Sequence, residues 1–167
     1  MRSQGLKLAR GNQMKAAGVG RGERHQLAPK TRGDRIAWVE SQGSTPGFQP
    51  FLTQLERLRR DLNQRAYLGL RRFELQCSYH EAGSPGYKRH TDTFADHGAR
   101  RRLSAVYYLN PTWRPEHGGS LTIHLPSGPL EVEPVHNRLV LFLSDIEHEV
   151  APVQAPRLAL TAWFYCQ

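Results

Sequence analysis

From Phe73 to its last residues the chain alternates apolar and polar positions with a period of two, in short runs. The runs are 73–79, 87–90, 103–109, 120–125, 130–135, 139–143, 149–153 and 158–165. A period of two sends successive side chains to opposite faces, so each run predicts a half-buried strand. Gly and Pro punctuate the gaps, at Gly83-Ser84-Pro85-Gly86, Asn110-Pro111, Gly118-Gly119, Ser127-Gly128-Pro129 and Pro156. Many short strands at regular spacing predict a β-sandwich or barrel. The chain has no internal repeat.

One segment breaks this pattern. Phe48, Phe51, Leu52, Leu55, Leu58, Leu62 and Ala66 recur at helical spacing, with arginines between them. They predict one amphipathic helix whose basic side is solvated. Thr45-Pro46 supplies a capping hydroxyl and a first-turn proline for its start. The fold class is therefore mainly β with a flanking helix. Residues 32–39 read as a Gly turn leading into a short strand; the Arg32-Gly33-Asp34 tripeptide is expected to be a structural turn. Residues 1–31 are rich in Gly, Arg, Lys and Gln and predict a basic, flexible lead-in. Residues 32–167 form the expected domain.

Length and charge bound the rest. With 167 residues the chain has room for one modest core. Lys and Arg number 23 against 15 Asp and Glu, a net charge of +8 that suits an anionic partner. Two cysteines exclude a disulfide scaffold and a cysteine-rich zinc module. No apolar run is long enough for a membrane helix. The start lacks the apolar stretch of a secretory signal, so a cytoplasmic protein with free thiols is expected. Cys77 and Cys166 fall in strand patterns and are read as buried thiols.

Eight histidines are present, and context separates two of them. His90-Thr91-Asp92 follows a strand, so its His and Asp share a face and can reach one metal ion. His148 begins a later strand and can supply a third ligand if the sheets close face to face. Two His and one carboxylate make the facial triad of non-haem Fe(II) oxygenases. Most of the others, among His25, His80, His97, His117, His124 and His136, are expected to be surface or loop residues. Arg157 stands at the mouth of an apolar strand and needs an anion. A dicarboxylate held at its other end by the metal would pair with it in a bidentate way. Thr161 or Tyr108 could add a hydroxyl. The alternative is a plain ion pair with a nearby Asp or Glu.

At this point the motifs resemble a known family. His90-Thr91-Asp92, His148 and Arg157 match the Fe(II)/2-oxoglutarate-dependent dioxygenases. Residues 32–38, 86–90, 107–110, 118–121, 143–145, 148–150 and 157–163 are similar to the oxygen-sensing type of prolyl 4-hydroxylase and its bacterial relatives. The resemblance implies a double-stranded β-helix, or jelly roll, backed by helices. It implies Fe(II) on His90, Asp92 and His148, and 2-oxoglutarate on Arg157 and Tyr108. Tyr79, Leu121, Val150, Thr161 and Trp163 would line that pocket. Tyr87, Arg101 and Trp163 would face the substrate proline, with Asp34 paired to Arg101. Of Arg100, Arg101 and Arg102, one is expected to face the site. The segment before Arg32 would fold over bound peptide.

The implied reaction is hydroxylation of a prolyl C4 in a protein, with succinate and CO2 released, O2 consumed and L-ascorbate keeping the iron reduced. The resemblance implies an enzyme of the procollagen-proline or peptidyl-proline 4-dioxygenase type. By analogy with bacterial relatives, a translation GTPase is a candidate substrate. A monomer is expected, without membrane or nucleic acid as partner. The alternatives are an oxygenase acting on nucleic acid or a small metabolite, and an inactive basic jelly roll that only binds. Nucleic-acid enzymes of this type tend to carry a second arginine six residues past the first. Trp163 stands there instead, an aromatic platform suited to a proline ring.

Overall fold

The computed structural model describes residues 1–19, 26–40, 45–93 and 101–166. Two helices, α1 (Arg2–Arg10) and α2 (Gln49–Ala66), flank twelve strands. These are β1 (Lys15–Ala16), β2 (Gly18–Val19), β3 (Gln26–Leu27), β4 (Asp34–Val39), β5 (Arg72–His80), β6 (Tyr87–His90), β7 (Arg101–Tyr108), β8 (Leu121–Leu125), β9 (Gly128–Val132), β10 (Leu139–Leu143), β11 (His148–Val150) and β12 (Arg157–Tyr165). A six-stranded sheet runs β1-β4-β5-β12-β7-β10 and a four-stranded sheet runs β6-β11-β8-β9; β2 and β3 form a separate ribbon. From β5 onward the chain crosses between the two larger sheets repeatedly, and every pairing is antiparallel. This is the jelly roll that the motifs implied.

The period-two pattern divides the six-stranded sheet into two faces. On β12, Leu158, Leu160, Ala162 and Phe164 pack outward against Leu8 of α1 and Phe51, Leu52 and Leu55 of α2. Ala159 joins Val106, Tyr108, Leu121, Ile123 and Phe142 in a second, smaller cluster between the sheets. Both faces of β12 are therefore covered, and eight of its nine residues are buried. A polar or charged side chain on a strand buried on both faces needs a partner there.

Three expectations change. Residues 2–10, read as part of a loose lead-in, form α1, and its Leu8 and Ala9 are buried in the main core. The reason is a narrow apolar stripe with a glycine at the contact. A Cβ at Gly5 would lie 2.8 Å from Leu158 Cδ2, so the missing side chain lets α1 approach β12. Lys15 and Ala16 also belong to the main sheet, paired with Ile36 and Arg35. The structured unit therefore begins well before residue 32.

Second, α2 starts without a Thr45 side-chain cap; a short 3-10 turn over Pro46–Phe48 leads into it instead. Its end is fixed by Asn63. That side chain accepts the Leu70 N–H at 2.7 Å and donates to the Leu70 carbonyl at 2.8 Å. Third, β9 starts at Gly128 and includes Pro129, because it is an edge strand and an edge tolerates a missing donor. Arg57, Arg60 and Arg65 of α2 are exposed as expected, whereas Arg59 is half-buried, bound by Glu56 and donating to the Leu70 carbonyl at 2.6 Å.

Leu160 is fully buried where α1, α2 and the sheet meet. Leu160→Ala should cost about 2–5 kcal/mol. Urea unfolding monitored by circular dichroism measures this.

Candidate active site

β6 and β11 are neighbours in the four-stranded sheet, and His90 lies directly opposite His148. Asp92 follows two residues after His90, and its N–H donates to the Ser144 carbonyl at 2.9 Å. The third ligand thus comes from the adjacent strand of the same sheet, not from a facing sheet. One ligating atom from each of the three residues lies within 4.8 Å of the others.

The surrounding bonds set the protonation of these residues. His90 Nδ1 lies 2.7 Å from the Lys88 carbonyl and His148 Nδ1 lies 2.9 Å from the Ile146 carbonyl. A carbonyl only accepts, so each Nδ1 carries the proton and each Nε2 offers a lone pair inward. Burial lowers the His90 pKa, and the neighbouring His148 pushes it the same way, so the ring stays neutral. Asp92 Oδ2 accepts a 2.7 Å hydrogen bond from the Ser104 hydroxyl, itself 2.9 Å from Ser144 Oγ. Two imidazoles with Nε2 turned inward and one oriented carboxylate are a donor set suited to a divalent transition metal with open positions.

Arg157, the first residue of β12, is 4% exposed. Its Nε–H donates to the Gly119 carbonyl at 2.9 Å and its guanidinium lies 5.1 Å from the Tyr108 ring centre. Gly119 has φ +74°, and a Cβ there would come 2.8 Å from Arg157 Cδ, so only glycine admits this side chain. Among the described residues no carboxylate pairs with Arg157, so the ion-pair alternative is not realised. The Tyr108 hydroxyl is buried beside Arg157 and makes no hydrogen bond of good geometry among the described residues. Burial raises the Tyr108 pKa, so it remains a donor. A buried cation and an unpaired donor together fit a carboxylate.

A cavity of about 560 Å³ joins the two sites. Leu121, Val150, Thr161 and Trp163 line it, together with Tyr87, Arg101 and Asp34. Tyr108 lies fully buried against Arg157.

Tyr79 requires a correction. It points to the opposite face of β5, packed against the main core and 5.6 Å from the Arg35 guanidinium. Gln76, Ser78 and His80 line the cavity in its place. Phe73, Leu75 and Cys77 are apolar and share parity with Tyr79, so strand alternation already assigned that face.

A second correction concerns Asp34. Its carboxylate is bound by Arg32, at 2.7 Å and 3.1 Å, and not by Arg101. Arg32 also donates to Gln76 Oε1 at 3.2 Å and sits 4.7 Å from the Tyr87 ring centre. Burial alone would raise the Asp34 pKa, but hydrogen bonds and charge from Arg32 outweigh it and hold it below its ordinary value. Arg101 stacks 4.0 Å from the Trp163 ring centre and donates to the Tyr165 hydroxyl at 3.1 Å. Arg102 is exposed, while Arg100, His25 and His97 lie outside the described residues. Trp38, 53% exposed at the cavity rim and 5.8 Å from Trp163, was not singled out by the sequence. Cys77 is a buried free thiol, its pKa pushed up by burial to about 12.

The model of the 2OG-Fe(II) oxygenase superfamily matches residues 75–165, and the chain belongs to this family. Within it, the chain is similar to prolyl hydroxylases. It is 34% identical over 145 residues to human prolyl hydroxylase EGLN3, covering 80% of this chain and 59% of that protein. It is 31% identical over 144 residues to human Egl nine homolog 1, covering 80% of this chain and 33% of that protein. The chain thus spans between a third and three fifths of these curated relatives. A Pseudomonas putida prolyl-4-hydroxylase structure superposes with a TM-score of 0.83 at 35% identity, covering 99% of this chain and 85% of that one. A Trichoplax adhaerens prolyl hydroxylase, solved with a hypoxia inducible factor peptide, gives a TM-score of 0.84 at 27% identity, covering 98% and 75%.

Two outcomes follow from this geometry. Ser104→Ala frees Asp92 to rotate and should lower divalent-metal affinity about 10–100-fold, read by competition with a fluorescent chelator. The Asp34 pKa is depressed in the folded chain. Its contribution to stability is present above the unfolded carboxylate value of about 3.9 and fades as pH falls through the lower folded value. Asp34→Asn should therefore lower stability at neutral pH and flatten its loss in acid, read as melting temperature against pH.

Proposed function

We propose that the chain is a peptidyl-proline 4-dioxygenase that uses Fe(II), 2-oxoglutarate and O2. One observation carries the reading. Three residues able to hold one metal ion and a buried arginine without a carboxylate partner among the described residues face one cavity that Tyr87, Trp163 and Trp38 also line. The named prolyl hydroxylases among the similar proteins support it.

His90, Asp92 and His148 would hold the iron through Nε2, a carboxylate oxygen and Nε2. Bound iron with 2-oxoglutarate supplies the oxidation that hydroxylates an unactivated carbon, releasing succinate and CO2. The residues of the chain do the positioning. Arg157 and the Tyr108 hydroxyl anchor the far carboxylate. Leu121, Val150 and Thr161 shape the space around the acid's carbon chain and limit water there. Tyr87 and Trp163 present rings to the prolyl side chain, an apolar ring that stacks on aromatic faces. Arg32 and Asp34 neutralise each other beside Tyr87, so the rim holds its shape without a net charge at that point. Ascorbate belongs in the assay to keep the iron reduced.

The test incubates the protein with Fe(II), 2-oxoglutarate, ascorbate and proline-containing proteins, a translation GTPase first among them. Succinate should form together with a one-oxygen gain on a prolyl residue, located by mass spectrometry. Asp92→Ala should abolish both. Succinate at the wild-type rate from Asp92→Ala, or methylated nucleic acid consumed in place of proline, overturns the reading.

A further inference from the structure

His80 is the buried titratable group in the cavity that the reaction above leaves without a task. It is 3% exposed and lines the cavity floor. In the six-stranded sheet it sits directly between Asp34 on β4 and Arg157 on β12, paired in register with both. Directly opposite residues place their Cβ atoms about 4.5–5.5 Å apart, so the ring and the Arg157 side chain start from neighbouring points of one face.

The other side of the ring is fixed. His80 Nδ1 lies 3.0 Å from Ser84 Oγ. The Ser84 hydroxyl also lies 3.0 Å from the Gly33 carbonyl and accepts the Gly86 N–H at 3.3 Å. A hydroxyl has one proton, so two arrangements exist. With the proton on the Gly33 carbonyl, Nδ1 must carry hydrogen and Nε2 is a bare acceptor. With the proton turned to Nδ1, the imidazole hydrogen moves to Nε2, which becomes a donor. No hydrogen bond of His80 among the described residues uses Nε2, and that atom is not among those sealed from solvent without a partner.

A carboxylate brought to Arg157 has oxygens that only accept. It discriminates against the bare Nε2 and favours the donor. We infer that His80 is a further cosubstrate-binding residue: it donates from Nε2 to a carboxylate oxygen of 2-oxoglutarate beside Arg157, with Ser84 rotating from Gly33 to hold that tautomer. The inference rests on the proposed use of 2-oxoglutarate. No proton is gained or lost; one hydroxyl turns and one imidazole hydrogen changes nitrogen through exchange with water. The charged groups facing the ring are Arg157, Asp34 and Arg32. Burial, followed by the Arg157 charge, lowers the His80 pKa to about 4, so the ring acts in its neutral form across the neutral range.

The test is calorimetric binding of 2-oxoglutarate to the Mn(II)-loaded protein under argon, with no turnover. His80→Leu should weaken binding by on the order of tenfold or more, the worth of one hydrogen bond to a charged group. His80→Gln, which keeps a donor on a side chain of similar reach, should restore most of it. Wild-type affinity should be flat from pH 6 to pH 8, where a charged imidazolium would make it fall with rising pH. Ring 15N shifts of His80 should show Nε2 protonated once ligand is bound to the Zn(II)-loaded wild type. Equal binding by His80→Leu and wild type, or an unprotonated Nε2 in the complex, overturns the inference. No binding by wild type at all instead overturns the use of 2-oxoglutarate.

Discussion

The ladder between β5 and β12 sets the geometry on which the site depends. Its register runs unbroken from Arg157 opposite His80 to Tyr165 opposite Arg72. Because side chains alternate strictly, this register sends Leu158, Leu160, Ala162 and Phe164 to the helices and Arg157, Thr161 and Trp163 to the cavity. A slip by one residue would exchange the two sets. Arginine would then face leucines and phenylalanines, and the cavity would lose its anion seat. The two helices therefore do more than cover a sheet. By burying one face of β12 they make the wrong register costly, and so secure the polar face they never touch.

Most polar groups of the cavity have a fixed partner before any ligand arrives, and the His80–Ser84 pair, with two arrangements open to it, is the exception. The metal-facing histidines turn Nε2 inward because each Nδ1–H donates to a backbone carbonyl. Asp92 is steadied by a serine pair. Arg32 and Asp34 neutralise each other at the rim. Arg157 alone keeps an uncompensated charge in a buried position among these groups, with Tyr108 beside it as an unused donor. Such a site binds with little rearrangement, since its dipoles already point where the ligand's charges will lie.

Much of this was legible in the sequence. Period-two runs and their Gly and Pro punctuation gave eight of the strands, and the helical stripe gave α2. The triad and Arg157 could be found because their chemistry is unusual at strand ends. Other features depended on partners distant in sequence. The pairing of Asp34 with Arg32 and not Arg101 is a contest between two nearby guanidiniums, which spacing cannot decide. The contribution of α1 depends on a glycine meeting Leu158 more than 150 residues away. Tyr79 is different: the alternation of Phe73, Leu75 and Cys77 held the answer, but the aromatic residue drew attention from its own parity.

The glycine at position 119 has a consequence for which acids the cavity will accept. By admitting the Arg157 side chain and bonding its Nε, it removes the freedom that a long side chain normally has to follow its ligand. One end of the cavity is thus a fixed post, and an acid that pairs with the guanidinium must come to it. That constraint is enforced by a residue that has no side chain.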